Sequence, residues 1–287
     1  MSSTNNDLLN RIETNYLGLS KGQKRIADYI LENYDKVAFM TASALGDVVG
    51  VSESTVVRFA NALNYEGYPQ LQKALQESIK TKLTTVQRFE LSKDQDIGEN
   101  YLKQIMASDM ENIRKTIDNV DEAMIQKIVD VIHSSRKVYI LGLRSSSVLA
   151  NYLGFYLNFI LDSVSIVPSG ANDLFDQLLN ITEDDVLITF SFPRYSKTTY
   201  EVVDFAKAQG AKLIGITDSK SSPLVPLADY YLTAKYNMNT FIDSLVAPMS
   251  LVNALIIAVS IREKDKVKKT FSKLEGIWDE YKIYNPK

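Results

Sequence analysis

The 287-residue chain has no cysteine, one tryptophan and one histidine. The absence of cysteine excludes disulfides and thiolate metal sites, and it fits a reducing compartment. No cluster of metal-ligating residues stands out, and none is expected. The single histidine, His133, falls on a helical stretch before the first strand-like run. That is the end of a parallel sheet away from its ligands, so no catalytic role is assigned to it. The leading residues MSSTNNDLLNRIE lack a basic segment and an apolar core, so no signal peptide is expected. Long apolar runs are also missing. The most apolar one, Leu245 to Ile261, is broken by Pro248, Ser250, Asn253 and Ser260, as suits a buried helix rather than a membrane span. A cytoplasmic protein with no membrane partner is expected. Neither GxxxxGK[ST] nor GxGxxG occurs, which leaves ATP and dinucleotide binding without support, and no cofactor is expected. Charge of one sign is scarce as well. The net charge is -3, and within residues 1–90 ten basic side chains meet ten acidic ones. A strong electrostatic footprint for nucleic acid is therefore absent.

What is present is an ordinary globular composition, 45% apolar and 23% charged, in a chain long enough for two cores. The stretch LGDVVGVSESTVVRF, Leu45 to Phe59, has the spacing of two short helices joined by a tight turn. Leu45, Val48 and Val49 mark one apolar face, Gly50 interrupts it, and Val56, Phe59, Ala60 and Leu63 mark the next. Gly46 suits the crossing of the two helices, where only a small side chain fits. Ser52 is expected to cap the second helix through its hydroxyl. That helix presents Ser52, Glu53, Ser54, Thr55, Arg58 and Asn61 outward, as a recognition helix entering a major groove would. An ordinary three-helix bundle shares this pattern, so the spacing leaves both readings open. Upstream, SKGQKRIADYILENY predicts a helix with Ser20 and Gln23 as a capping box and Ile26, Ile30, Leu31 and Tyr34 on one face. Downstream, Pro69 suits the start of a helix whose face is Leu71, Ala74, Leu75 and Ile79.

The polar stretch from Lys80 to Asn100 is expected to be mainly linker. Two amphipathic helices follow, one with Leu102, Ile105, Met106, Met110, Ile113 and Ile117 at three-and-four spacing, the other from about Asp121 to His133. Either would cover the next domain or meet a partner subunit. The expected organisation is 1–80, a helix-turn-helix domain; 81–105, a linker; and 106–287, an α/β domain with flanking helices. From Lys137 the texture turns to short β-rich runs: Val138 to Leu141, Ser163 to Val167, Val186 to Phe190, Lys212 to Thr217 and Tyr230 to Ala234. Helical stretches fit between most of them, so the fold class is multidomain: an all-α bundle followed by a three-layer α/β domain with a parallel sheet. Ligands of such sheets bind beyond the carboxyl ends of the strands. After the first strand, Gly142 is expected to allow a tight turn, and Ser145, Ser146 and Ser147 open the next helix, whose free N–H groups favour an anion. After the third strand come Ser191, Ser196, Thr198 and Thr199, with Arg194 and Lys197 nearby. Each loop alone is as well explained by helix capping; together they suggest a phosphate site.

These residues give a resemblance to a known family. SKGQKRIADYILENY, VAFMTASALGDV and GVSESTVVRFANALNYEGYPQL resemble the helix-turn-helix domain of RpiR-type bacterial transcription regulators. YILGLRSSSVLA, DDVLITFSFPRYSKTT, AKLIGITDS and SPLVPLADYYL resemble the sugar isomerase (SIS) domain that follows it in that family. The resemblance implies operator DNA as a partner, a phosphosugar effector, a homodimer or homotetramer formed through the SIS domain, and no catalysis. It implies that Ser146, Ser191 and Ser196 hold the phosphate, with Gly142, Arg144, Ser145 and Arg194 beside them. Two departures bear on the ligand: Pro193 stands where many SIS domains have a second serine, and Arg144 replaces a small residue. One hydroxyl fewer with added positive charge leaves a different anion, or a sugar acid, open as the ligand. In the first domain Asn64 stands where Gly is common and Gly46 where Ala is common. The rival function is a phosphosugar isomerase with an accessory helical domain, which needs a base at the sugar; Glu201 lies too far along its helix, and Asp243 is the one carboxylate left open for that role. A dimerising adaptor without DNA binding is the third reading. The sugar, the operator and the sign of regulation are not legible.

Overall fold

A computed structural model describes residues 7–79, 85–86, 100–167, 174–236 and 242–284. Its contacts divide the chain near residue 97 into two compact units.

The first unit is a helical bundle of α1 (Asp7–Asn15), α2 (Lys21–Val37), α3 (Ala42–Val49), α4 (Glu53–Ala62) and α5 (Tyr68–Ile79). Its core joins Ile12, Ile26, Ile30, Leu45, Phe59, Leu63, Leu71 and Leu75, all fully buried. The expected capping box starts α2: Gln23 N donates to Ser20 Oγ at 3.4 Å, and Ser20 N donates to Gln23 Oε1 at 2.9 Å. The C-terminal end of α2 and the chain after it are held from α5. Tyr68 Oη and Gln72 Nε2 each donate to the Met40 carbonyl at 2.9 Å, and Gln76 Nε2 donates to the Ala38 carbonyl at 2.8 Å. Burial pushes the Tyr68 phenol up to about 12, so it stays a donor. Two expected core positions lie at the surface: Leu31 is 36% exposed and Val48 55%. The apolar faces of α2 and α3 are narrower than the count of aliphatic residues suggested, with Ala27 and Leu45 taking the buried positions.

The second unit contains α6 (Tyr101–Ile117), α7 (Glu122–Ser134), β1 (Val138–Gly142), α8 (Ser147–Ile160), β2 (Val164–Val167), β3 (Val186–Phe190), α9 (Lys197–Ala208), β4 (Lys212–Thr217), β5 (Tyr230–Thr233), α10 (Val246–Arg262) and α11 (Lys264–Glu280). The five strands form one parallel sheet in the order β2-β1-β3-β4-β5. One face packs on α7, α8 and α10, the other on α9 and the turns around Leu178 and Leu224. Among the described residues a 3-10 turn, Asp176–Leu178, is the helical element between β2 and β3, and turns alone link β4 to β5. The order reverses between β1 and β3, because β2 lies outside β1 while the later strands extend the other way. Such a reversal opens a crevice at the carboxyl ends of the two central strands.

Helix α6 is packed with its polar side inward. Asn112 and Thr116 are its buried residues, while Leu102, Met106 and Met110 are 62%, 67% and 71% exposed. Thr116 Oγ1 accepts from Lys235 N at 2.8 Å, just past β5, and Ser244 Oγ donates to Asp109 Oδ1 at 2.6 Å, just before α10. The apolar stripe of α6 therefore does not cover the domain that follows it. Helix α10 is apolar on all sides, yet Ile257 and Ile261 are exposed. Among the described residues no single helix is long and apolar enough to cross a membrane.

Candidate DNA-reading helix and effector crevice

The turn between α3 and α4 is set by two glycines with different jobs. Gly50 adopts φ 73°, ψ 46°, a left-handed C-cap that other L-residues rarely take. At Gly46 a Cβ would lie 2.8 Å from the Val51 carbonyl oxygen, so the close crossing needs a minimal side chain. From α2, Arg25 donates through Nη2 to the Val49 carbonyl and through Nη1 to that of Gly50 at 3.3 Å. This guanidinium closes the end of α3. Asn64 takes φ 63°, the left-handed conformation that asparagine tolerates better than most residues.

Helix α4 leaves Ser52, Glu53, Ser54, Arg58 and Asn61 exposed and Thr55 half-buried. Ser52 sits at the N-cap, but its hydroxyl makes no capping bond to the backbone. It pairs instead with Ser54 Oγ at 2.9 Å and Thr55 Oγ1 at 2.8 Å. The expected cap is thus replaced by a small hydroxyl cluster, because three adjacent hydroxyls satisfy one another. Arg58 lies back along the helix, Nε donating to the Ser54 carbonyl at 3.2 Å. Val57, not expected at this surface, is 36% exposed on the same helix.

In the second unit the loops after β1 and β3 open at the crevice. Gly142 ends β1, and a Cβ there would lie 2.4 Å from the Ser146 carbonyl oxygen. Its φ is not positive, so close approach of the helix, rather than a tight turn, requires glycine. Arg144 adopts φ 56° at the start of a 3-10 turn, Arg144–Ser146, that runs into α8. Ser146 is buried and makes no capping bond, Ser145 is exposed, and Ser147 Oγ donates to the Arg144 carbonyl at 2.6 Å. The second loop repeats the device: Arg194 adopts φ 61°, and Ser196 precedes α9, again without a capping bond. Ser146 and Ser196 each stand at a helix start with hydroxyls not used to cap it.

Ser191 is buried and built into the sheet end. Its N–H donates to the Ile216 carbonyl at 3.1 Å, and its carbonyl accepts from Thr217 Oγ1 at 2.6 Å. Its own hydroxyl lies 3.4 Å from Tyr200 Oη. Around it stand groups that the spacing of serines gave no reason to select. Tyr195 Oη donates to Asp218 Oδ1 at 2.8 Å, and Thr217 and Ser222 hydroxyls lie 2.7 Å apart. Burial first, then the Asp218 carboxylate, push the Tyr195 phenol far above its ordinary range; burial also raises Tyr200. Both phenols are neutral donors at any physiological pH. Phe192, from the same loop, stacks on Tyr236 with ring centroids 5.3 Å apart.

His133 and Glu201, both weighed for catalysis, are engaged elsewhere. His133 Nε2 is 3.1 Å from the Val259 carbonyl and Nδ1 3.4 Å from Glu263, which fastens α7 to α10. Glu201 pairs with Lys197 at 3.2 Å along α9, and Ser244 is tied to Asp109 of its own chain. Among the described residues no group of His, Asp and Glu is arranged to hold a metal.

Comparison with known proteins gives this geometry its family. Residues 6–82 match the helix-turn-helix domain of the rpiR family, and residues 131–258 match the SIS domain. A helix-turn-helix transcriptional regulator of Haemophilus influenzae is 30% identical over 233 residues, covering 79% of each chain. The chain belongs to the rpiR family of helix-turn-helix transcriptional regulators. Its SIS unit is similar to the sugar isomerase domain of an RpiR transcription factor from Sphaerobacter thermophilus, at 25% identity and TM-score 0.59, over 62% of this chain and 99% of that one. The Vibrio vulnificus NanR protein, solved with ManNAc-6P, shares the fold over 94% of this chain and 98% of its own, at 22% identity and TM-score 0.54. As a member of the rpiR family the chain is a transcription regulator with a helix-turn-helix.

Proposed function

We propose that this rpiR-family regulator binds operator DNA through α4 and alters that binding when its SIS unit takes up a phosphorylated sugar or a related sugar metabolite. The observation that carries the effector reading is the pairing of two hydroxyl-bearing loops at the β1/β3 reversal, each running into a helix start with its N-cap serine uncommitted. Helix N–H groups, Ser146, Ser191 and Ser196, with Gly142 and Ser145 in the first loop, form the phosphate end, and Arg144 and Arg194 add positive charge. Ser52, Glu53, Ser54, Thr55, Arg58 and Asn61 form the DNA-reading surface. The working domains are a helix-turn-helix unit over 1–80, a linker, and a SIS unit that takes in α6 from Tyr101, in a cytoplasmic protein. The ligand-bound relative NanR supports the class of effector.

The protein acts as a homodimer or homotetramer through the SIS unit. The support is the outward apolar stripe of α6 with Ile257 and Ile261 of α10, a surface that a second copy would remove from water. Pairing also answers the balanced charge of residues 1–90, because two weak half-site contacts add where one fails. The effector acts by linkage: it shifts operator affinity only by its differential affinity for two arrangements of the assembly. Thermal-shift screening against sugar phosphates tests the sensor, since a ligand of the folded state raises the melting temperature. Sedimentation of Met110→Glu against wild type tests the assembly, with dissociation expected; an unchanged mass would refute this face.

A further inference from the structure

We propose that Asp218 is a specificity-determining residue that reads the hydroxyl groups of the effector and so fixes which way round a sugar phosphate lies in the crevice. This rests on the sugar-phosphate reading above and adds an orientation and a ligand class to it.

Asp218 is the first residue past β4, and β4 is the strand next to β3. It is therefore one strand further from the first loop than Ser191 is. The hydroxyls around it can be assigned donor by donor. Thr217 has one proton, and the 2.6 Å contact to the Ser191 carbonyl uses it. Ser222 Oγ lies 2.7 Å from Thr217 Oγ1 and accepts from Leu224 N at 3.3 Å. Thr217 has no proton left for the Asp218 oxygen 3.1 Å away. Asp218 Oδ1 is satisfied by Tyr195, and Oδ2 takes no hydrogen bond among the described residues. A carboxylate oxygen accepts hydrogen bonds, and Oδ2 of this half-buried side chain is open to a donor from the crevice. Sugar hydroxyls are donors of that kind; phosphate and carboxylate oxygens are not, and like charge repels them.

The crevice thus has two chemically distinct ends. The first turns of α8 and α9, with Ser146, Ser196, Arg144 and Arg194, favour negative charge. The β4 end, with Asp218, disfavours it. A neutral sugar carrying one phosphate fits with its phosphate toward β1 and its hydroxyls toward β4. A phosphosugar acid or a bisphosphate would set a second negative group against Asp218, which decides against the sugar acid left open by the loop sequences.

The test is calorimetric titration of the full-length protein with a panel of hexose monophosphates, a phosphosugar acid and inorganic phosphate as competitor. For Asp218→Asn, the hexose monophosphate that binds wild type is expected to bind at least about tenfold more weakly, since a site built around a substrate hydroxyl depends on that bond. Inorganic phosphate is expected to compete as before, and the phosphosugar acid to gain affinity. Tyr195→Phe removes the phenol but keeps the carboxylate, and should retain hexose monophosphate binding within about threefold. If Asp218→Asn binds hexose monophosphates like wild type, the proposal is overturned and the sugar-phosphate reading stands. If both variants lose hexose monophosphate and inorganic phosphate alike, Asp218 merely anchors the loop and the proposal is overturned. If wild type binds none of the panel, the sugar-phosphate reading itself falls, and the assignment of Asp218 with it.

Discussion

Replacing Gly142 by alanine tests the loop on which the sensor depends. A Cβ at this position would lie 2.4 Å from the Ser146 carbonyl oxygen and 2.9 Å from both the Ser146 carbonyl carbon and Ala150 Cβ. Ordinary contact between such atoms needs a shift of about 1 Å, and two of the three belong to backbone that cannot rotate away. Overpacking of this kind costs about 1–3 kcal/mol. For a unit of this size each kcal/mol lowers the melting temperature by about 2–4 °C, so the sensor's transition should fall by about 2–12 °C. The first turn of α8 carries Ser146 with it, so affinity for a sugar phosphate should fall as well. Calorimetric melting and ligand titration read the two effects. Gly276→Ala is the control: nothing lies within 4 Å of a Cβ there, and alanine in exposed α11 should gain about 0.5–1 kcal/mol. A Gly142→Ala protein with wild-type melting and wild-type ligand affinity would refute the close approach of strand and helix.

Two serines that look alike in sequence should behave differently. Ser20→Ala removes a true capping box and should cost about 1 kcal/mol in chemical denaturation, whereas Ser52→Ala, which removes no backbone cap, should cost only a few tenths. Asp185 is fully buried, and its oxygens accept from Arg136 Nε at 3.0 Å, Nη2 at 2.6 Å and Thr182 N at 2.8 Å. Burial alone would raise its pKa; the bonds from Arg136 and Thr182 outweigh that and hold it below the usual carboxylate range. A depressed folded pKa contributes stability that is complete above the unfolded value of about 4 and is lost as pH falls through the folded one. Asp185→Asn should therefore lose about 1.5–3 kcal/mol at neutral pH, with the difference from wild type shrinking below about pH 4. A pH-independent difference would contradict the assignment.

The parts of the fold governed by local repetition were legible in the residues. The five strands lie where the β-rich runs predicted, because fully buried parallel strands such as VLITF carry an unbroken apolar signature. The capping box at Ser20 was equally plain, since both partners are three residues apart. What was not legible depends on partners distant in sequence or on competition between neighbours. Ser52 has the position of a cap, but Ser54 and Thr55 take its hydroxyl. Helix α6 has an apolar stripe, yet Asp109 and Thr116 find partners at Ser244 and Lys235, so the polar side turns inward. Val48 had the right spacing for the core of α3 but lies on its open side. Serines stand in the loops past β1 and β3 where the residues placed them, while the Tyr195–Asp218 pair joins residues 23 apart through sheet order alone. Nothing in a single sequence announces such a contact.

Coupling between a sugar-phosphate crevice and a DNA-reading helix is read from operator affinity, measured on DNA upstream of the protein's own gene across a range of salt, with and without each sugar phosphate. One sugar phosphate should change wild-type affinity by about tenfold, equivalent to about 1.4 kcal/mol of coupling. Ser146→Ala and Ser196→Ala should bind DNA normally but lose that response, and Arg58→Ala should weaken binding throughout. Affinity that is the same with every sugar phosphate, or a full response in both serine variants, would contradict the account.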